Sequence, residues 1–219
     1  MAENQISRRN LLLATGAGAL AAPLVGAAPA MATHQKVYID PGHGGSDSGA
    51  VGNGLREKDL TLKIALRMRR YLLDHWYVNI RMSRTTDVYR SLSYRSSDAN
   101  SWGAHRFVSI HINSASATSA KGFESYRYPG TTGTTYNLQN TMHSNVLSWM
   151  NRNHTVVDRG LKTADFHVLR ETSMPAVLTE NLFISNYNDS QRLKSDTFLW
   201  NVAKGHAFGI AKHLGLTHR

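Results

Sequence analysis

The chain has 219 residues, 41% hydrophobic and 18% charged, which fits a soluble globular protein of one or two domains and excludes a collagen-like repeat, a disordered tail and a polytopic membrane protein. Cysteine is absent, so disulfides, a thiolate nucleophile and Cys-based zinc sites are excluded, and any metal must be held by His, Asp or Glu. Twenty-five Lys+Arg against fifteen Asp+Glu give a net charge of +10 at pH 7, which attracts a polyanion without saying which one.

Residues 1–35 differ from the rest. Ser7-Arg8-Arg9-Asn10-Leu11-Leu12-Leu13 places two arginines before a stretch, 10–35, that holds no Lys, Arg, Asp or Glu. A charged start, a mildly apolar middle and an A-x-A end at Ala30-Met31-Ala32 define an export signal over 1–32. The paired arginines resemble a twin-arginine signal. The apolar run 11–22 is too short to span a bilayer. Residues 33–219 are then one exported domain, acting in the extracellular space, cell wall or periplasm. Export and the lack of a Lys/Arg run argue against a nucleic-acid partner.

Next come the predicted elements. Residues 36–40 form a β-branched and aromatic run, a buried strand. It ends in Pro41-Gly42-His43-Gly44-Gly45, a loop of wide backbone freedom that Gly49, Gly52 and Gly54 extend. Over 57–73, Leu60, Ile64, Met68 and Leu72 repeat every four residues and mark one face of a helix. Further strands are predicted at 78–82, 106–111, 122–128, 166–169 and 175–180. Helices are predicted at 91–103, 136–151 and 198–214. The alternation implies an α/β fold: a single layered domain with a twisted, mostly parallel sheet.

Three chemistry-bearing residues fall at or just beyond predicted strand ends: His43, His111 and Glu180. Ligands bind at that edge of open α/β sheets. Glu57 opens the first helix, one glycine-rich loop after His43. Two imidazoles and a carboxylate match a His₂Glu zinc set with one position open, and Glu180 is a spare carboxylate able to move a proton. The residues also admit plainer readings. A strand-end histidine is more often structural than a ligand. Glu57 could complement a helix dipole, Glu180 could open a turn, and the glycines could turn the chain or cradle a phosphate.

The sequence then closely resembles the zinc-dependent N-acetylmuramoyl-L-alanine amidases, the amidase-3 group of bacterial autolysins and phage lysins. The matching stretches are Ile39-Asp40-Pro41-Gly42-His43-Gly44-Gly45, Gly54-Leu55-Arg56-Glu57-Lys58-Asp59-Leu60, Ser83-Arg84-Thr85-Thr86-Asp87 and Phe107-Val108-Ser109-Ile110-His111. They continue through Asp158-Arg159-Gly160-Leu161-Lys162 and Val168-Leu169-Arg170 to Pro175-Ala176-Val177-Leu178-Thr179-Glu180-Asn181. The resemblance implies about six strands flanked by helices. It implies His43, Glu57 and His111 as Zn²⁺ ligands and Glu180 as catalytic acid and base. The reaction implied is hydrolysis of the amide between N-acetylmuramic acid and L-alanine in peptidoglycan. The alternative is another zinc metallopeptidase or amidohydrolase acting on a different cell-wall amide. Glu124 is expected to be a cleft or structural carboxylate, and Arg84 and Arg159 structural ion-pair partners. The expected partners are peptidoglycan and anionic wall polymers, with no membrane span after signal removal and a monomeric chain.

Overall fold

The structure, a computed structural model, describes residues 34–219. The predicted export signal lies outside the described residues. Strand β1 (Lys36–Pro41) is buried along almost its whole length, as a central strand covered on both faces must be. A two-stranded hairpin, β2 (Val51–Gly52) and β3 (Leu55–Arg56), closes the glycine-rich loop. Helix α1 (Glu57–His75) follows directly and buries Leu60, Ile64, Met68 and Leu72, the predicted face.

Strand β4 (Asn79–Met82), helix α2 (Leu92–Trp102), strand β5 (Arg106–Asn113) and strand β6 (Phe123–Arg127) come next. Ser91 caps α2 by accepting from the Tyr94 N–H, and Gly103 ends it in a left-handed conformation. Helix α3 (Gly133–Met150), strand β7 (Asp158–Thr163), helix α4 (His167–Arg170) and strand β8 (Ala176–Phe183) lead to helices α5 (Tyr187–Lys194) and α6 (Asp196–Leu214).

The sheet has six strands in the order β4-β1-β5-β8-β6-β7. All neighbouring pairs are parallel except β8 with β6. One face packs on α1, α3 and α6 through Val37, Ile39, Val108, Ile110 and Val177. The alternate residues Tyr38, Phe107, Ala176 and Leu178 face α2 and α4 in a smaller cluster, as the two-residue period of a strand requires. Helices α3 and α6 meet closely: a Cβ on Gly205 would stand 2.7 Å from the Cα of Val146. The thinly covered face carries the candidate site.

The sixth strand is not the predicted one. Residues 166–169 were expected to be extended, but His167–Arg170 is a helical turn. Val168 and Leu169 are both buried, and adjacent side chains can point the same way from a turn but not from a strand. The sixth strand is β7, whose residues are largely exposed at the sheet edge. An edge strand with so few apolar residues leaves no hydrophobic alternation to read. Helix α5 was also not predicted; Asn186 caps it by accepting from the Asp189 N–H.

Candidate metal centre

The parallel register brings the site residues to one end of the sheet. His43 lies two residues beyond β1, at φ 60°, in the left-handed region that costs a non-glycine residue energy. Its carbonyl accepts from Arg95 at 2.8 Å. Arg95 also pairs with the buried Asp40 at 2.6 Å, and Asp40 accepts from Ser83 and Ser109. Arg84 donates to the carbonyls of Pro41, Gly42 and Lys58. It was expected to be an ion-pair partner; its guanidinium instead ties together main-chain carbonyls of β1, the loop and α1. Two buried arginines thus fix the loop from below.

The hairpin folds the loop back so that Glu57 returns to His43. Glu57 Oε2 lies 3.1 Å from His43 Nε2, and Glu57 Oε1 lies 3.0 Å from His111 Nδ1. The carboxylate also accepts from the backbone N–H of Ala50 and of Ile112. It therefore serves the loop and β5, not the amides of its own helix. One donor atom from each of His43, Glu57 and His111 lies within 4.8 Å of the others. Gly42 makes the approach feasible: a Cβ there would stand 2.3 Å from His111 Cε1.

The three predicted ligands therefore converge, and they fit a metal ion. Tetrahedral donors at about 2 Å from a zinc ion stand roughly 3.3 Å apart, close to the two separations seen. His43 Nδ1 lies 2.9 Å from Asp47 Oδ2. That carboxylate orients the ring and leaves Nε2 toward Glu57, the outer-sphere support common to metal-binding histidines. Asp47 was not singled out from the sequence; its place four residues after His43 in the loop was the available signal. Burial alone would raise the Glu57 carboxyl, but hydrogen bonds with His111 and His43 hold it well below the usual carboxylate range. Burial disfavours a charged His43, and Glu57 and Asp47 together still raise it above its ordinary value.

Glu180 is the next residue in the same row. On β8 it pairs in register with His111 of β5 on one side and Glu124 of β6 on the other. Its Oε2 is buried without a hydrogen-bond partner among the described residues. Burial, then the Glu57 and Glu124 carboxylates, push its pKa well above the ordinary value. Glu180 lines a pocket of about 280 Å³ together with His43 and His111, walled by Tyr89, Leu92 and Phe166.

Glu124 behaves differently. Its two oxygens accept from Asn113 and Tyr126, each at 2.7 Å, from Arg159 at 2.6 Å, and from Lys162. It is a structural carboxylate, and Arg159 is the ion-pair partner expected. A further array, Ser125–His143–Asp158, is linked at 2.9 Å in both steps and has the residue types of a nucleophile relay. Ser125 has no exposed surface, so this array braces β6 against α3.

A family model described as N-acetylmuramoyl-L-alanine amidase matches residues 37–212. The chain belongs to this family. The amidase CwlM of Bacillus licheniformis is 50% identical over 183 residues, covering 83% of this chain and 70% of the relative. A sporulation-specific N-acetylmuramoyl-L-alanine amidase of Bacillus subtilis is 50% identical over 182 residues, covering 83% and 69%. The amidase catalytic domain of CwlV from Bacillus (Paenibacillus) polymyxa superposes with a TM-score of 0.78 at 34% identity, covering 84% of this chain and 99% of that one. The amidase match runs from β1 into α6 and so includes His43, Glu57, His111 and Glu180.

Proposed function

We propose that this amidase hydrolyses the amide between N-acetylmuramic acid and L-alanine in peptidoglycan, with His43, Glu57 and His111 holding Zn²⁺ and Glu180 as the proton carrier. The observation that supports the assignment is the row itself: a three-donor group beside a half-buried carboxylate whose Oε2 is buried and unpartnered, at one pocket wall. The chemistry a zinc ion supplies when bound is Lewis acidity toward a carbonyl oxygen and toward water.

The residues of the chain do the rest. Asp47 holds His43 in one orientation, and the amides of Ala50 and Ile112 hold Glu57, so the donors need little rearrangement. Glu180 takes a proton from the attacking water as the C–O bond forms. It returns that proton to the L-alanine nitrogen as the C–N bond breaks, so the products are a muramyl carboxylic acid and a free amine. The raised pKa of Glu180 suits a group that must hold a proton between those two events.

No helix among the described residues is long and apolar enough to cross a membrane. The 1–32 segment supports export to the cell wall, and the net charge of +10 would gather the enzyme on anionic wall polymers. Binding to intact walls should then weaken steeply with added salt; binding that ignores salt would overturn that part.

The decisive assay is mass spectrometry of digested, purified peptidoglycan. Free stem peptides with new N-terminal L-alanine are expected, lost on chelation and restored by zinc. Cleavage at another bond would favour a different amidohydrolase with the same site.

A further inference from the structure

The cationic end of the site row is larger than its structural role needs. Glu124 is one carboxylate, yet both Arg159 and Lys162 bind it, which leaves one positive charge in excess. Both cations are about one-third exposed, at 33% and 35%, while Glu124 is almost fully buried. Arg159 spends only Nε on Glu124. Its two terminal nitrogens have no hydrogen-bond partner among the described residues, and its guanidinium stands over the Phe183 ring, 4.8 Å from the centroid. A guanidinium held this way offers its outer edge to a second carboxylate, the geometry for which arginine is suited.

The position is as informative as the charge. Glu124 shares its register with Glu180, and Glu180 shares its own with His111. Adjacent strands stand about 4.8 Å apart, so Glu124 stands roughly 5 Å from the proposed proton carrier, and the two cations bound to it reach in from β7. One residue of peptide spans about 3.8 Å. A carboxylate on the residue after L-alanine would therefore fall at Arg159 and Lys162 when the scissile nitrogen faces Glu180. At the other end of the row, Tyr89 stands against Gly45 of the His43 loop and lines the pocket with Leu92, an apolar wall that suits the uncharged ring faces of a sugar.

We infer that Arg159 and Lys162 form a specificity subsite for the acidic second residue of the stem peptide, with Glu124 as the positioning residue that holds them. This rests on the amidase reading above. The subsite discriminates by charge: a free carboxylate on that residue is bound, and its uncharged carboxamide is bound less well. It also fixes the direction in which the substrate lies, peptide toward β6 and β7 and muramyl sugar toward α2.

The test uses two soluble muramyl peptides that differ only in the second residue, one with the free acid and one with the amide, and measures kcat and KM for each. The wild-type enzyme is expected to favour the acid about tenfold in kcat/KM, carried by KM and not by kcat. Lys162→Gln and Arg159→Gln should each bring that preference to within about twofold of parity. Lys162→Arg, which keeps the charge, should keep the preference. Glu124→Gln removes the charge that holds both cations in place and should weaken it. Equal handling of acid and amide by the wild-type enzyme would overturn the inference, as would a preference that survives both glutamine variants. The wild-type comparison stands even if a variant fails to fold. Cleavage of neither substrate would instead count against the amidase reading itself, so the two failures are distinguishable.

Discussion

Two glutamates lie in this molecule within two strands of each other, and their surroundings could hardly differ more. Glu57 is buried among imidazoles and backbone amides. Glu124 is buried among Arg159, Lys162, Tyr126 and Asn113. Both carboxyls are held ionised against the cost of burial. What differs is what their partners can become. Imidazoles can exchange a hydrogen bond to a carboxylate for a bond to a metal ion, while a guanidinium and an ammonium have no lone pair to give. One cluster can therefore act as the proposed ligand set, and the other is a fixed charge. Glu180, between them, has neither kind of partner, and that isolation makes it fit to carry a proton.

The widest separation between the two clusters should appear on removing the carboxylate from each. Glu57→Gln is expected to lose zinc and at least about 10³-fold in turnover, in keeping with what loss of a key polarising group costs. Metal content and rate on purified peptidoglycan check this. Glu124→Gln should keep its zinc. A Glu57→Gln enzyme that retained both metal and activity would erase the contrast.

The support beneath the Glu57 cluster comes next. Arg95 is 3% exposed, pairs with Asp40, and holds the carbonyls of Pro41 and His43. Arg95→Met leaves a buried, unpaired Asp40, a change that costs about 3–5 kcal/mol, measurable by urea unfolding. A loss under 1 kcal/mol would mean that the loop holds its shape unaided. The Glu124 cluster should cost less to break, because its cations still reach water: Glu124→Gln is expected to lose about 1–3 kcal/mol.

The smallest effect lies on the opposite face of β8. His206 is fully buried, bonds the Val202 carbonyl and meets Thr179 Oγ1 at 2.9 Å. Burial lowers its pKa from 6.5 to about 4. In the fold it stays neutral where the unfolded chain takes up a proton, so stability is intact above pH 6.5 and falls as pH drops from 6.5 toward 4. About 1 kcal/mol should be lost between pH 7 and 5.5, and His206→Leu should remove that part of the slope. An unchanged slope would show that His206 does not titrate there.

The contrast also explains what was legible before the fold was known. His43, His111 and Glu180 could be placed at strand ends because β1, β5 and β8 are buried and read as apolar runs. Glu57 could be placed because α1 has a clean helical face. The Glu124 side was harder to read. Its partners Arg159 and Lys162 sit on β7, an edge strand without hydrophobic alternation, and the expected sixth strand fell instead on α4. Asp47 and Arg95 were missed because their roles arise from a loop that closes only through β2 and β3. Spacing along the chain carries no trace of which carbonyls a distant guanidinium will reach.

The assignment of four side chains to two roles is tested most directly by one variant with two readouts. Glu180→Gln should keep one zinc ion per chain, measured by elemental analysis, and lose at least about 10²-fold in turnover on purified peptidoglycan. Near wild-type turnover in that variant, or loss of the metal with it, would contradict the separation of proton carrier from ligand set.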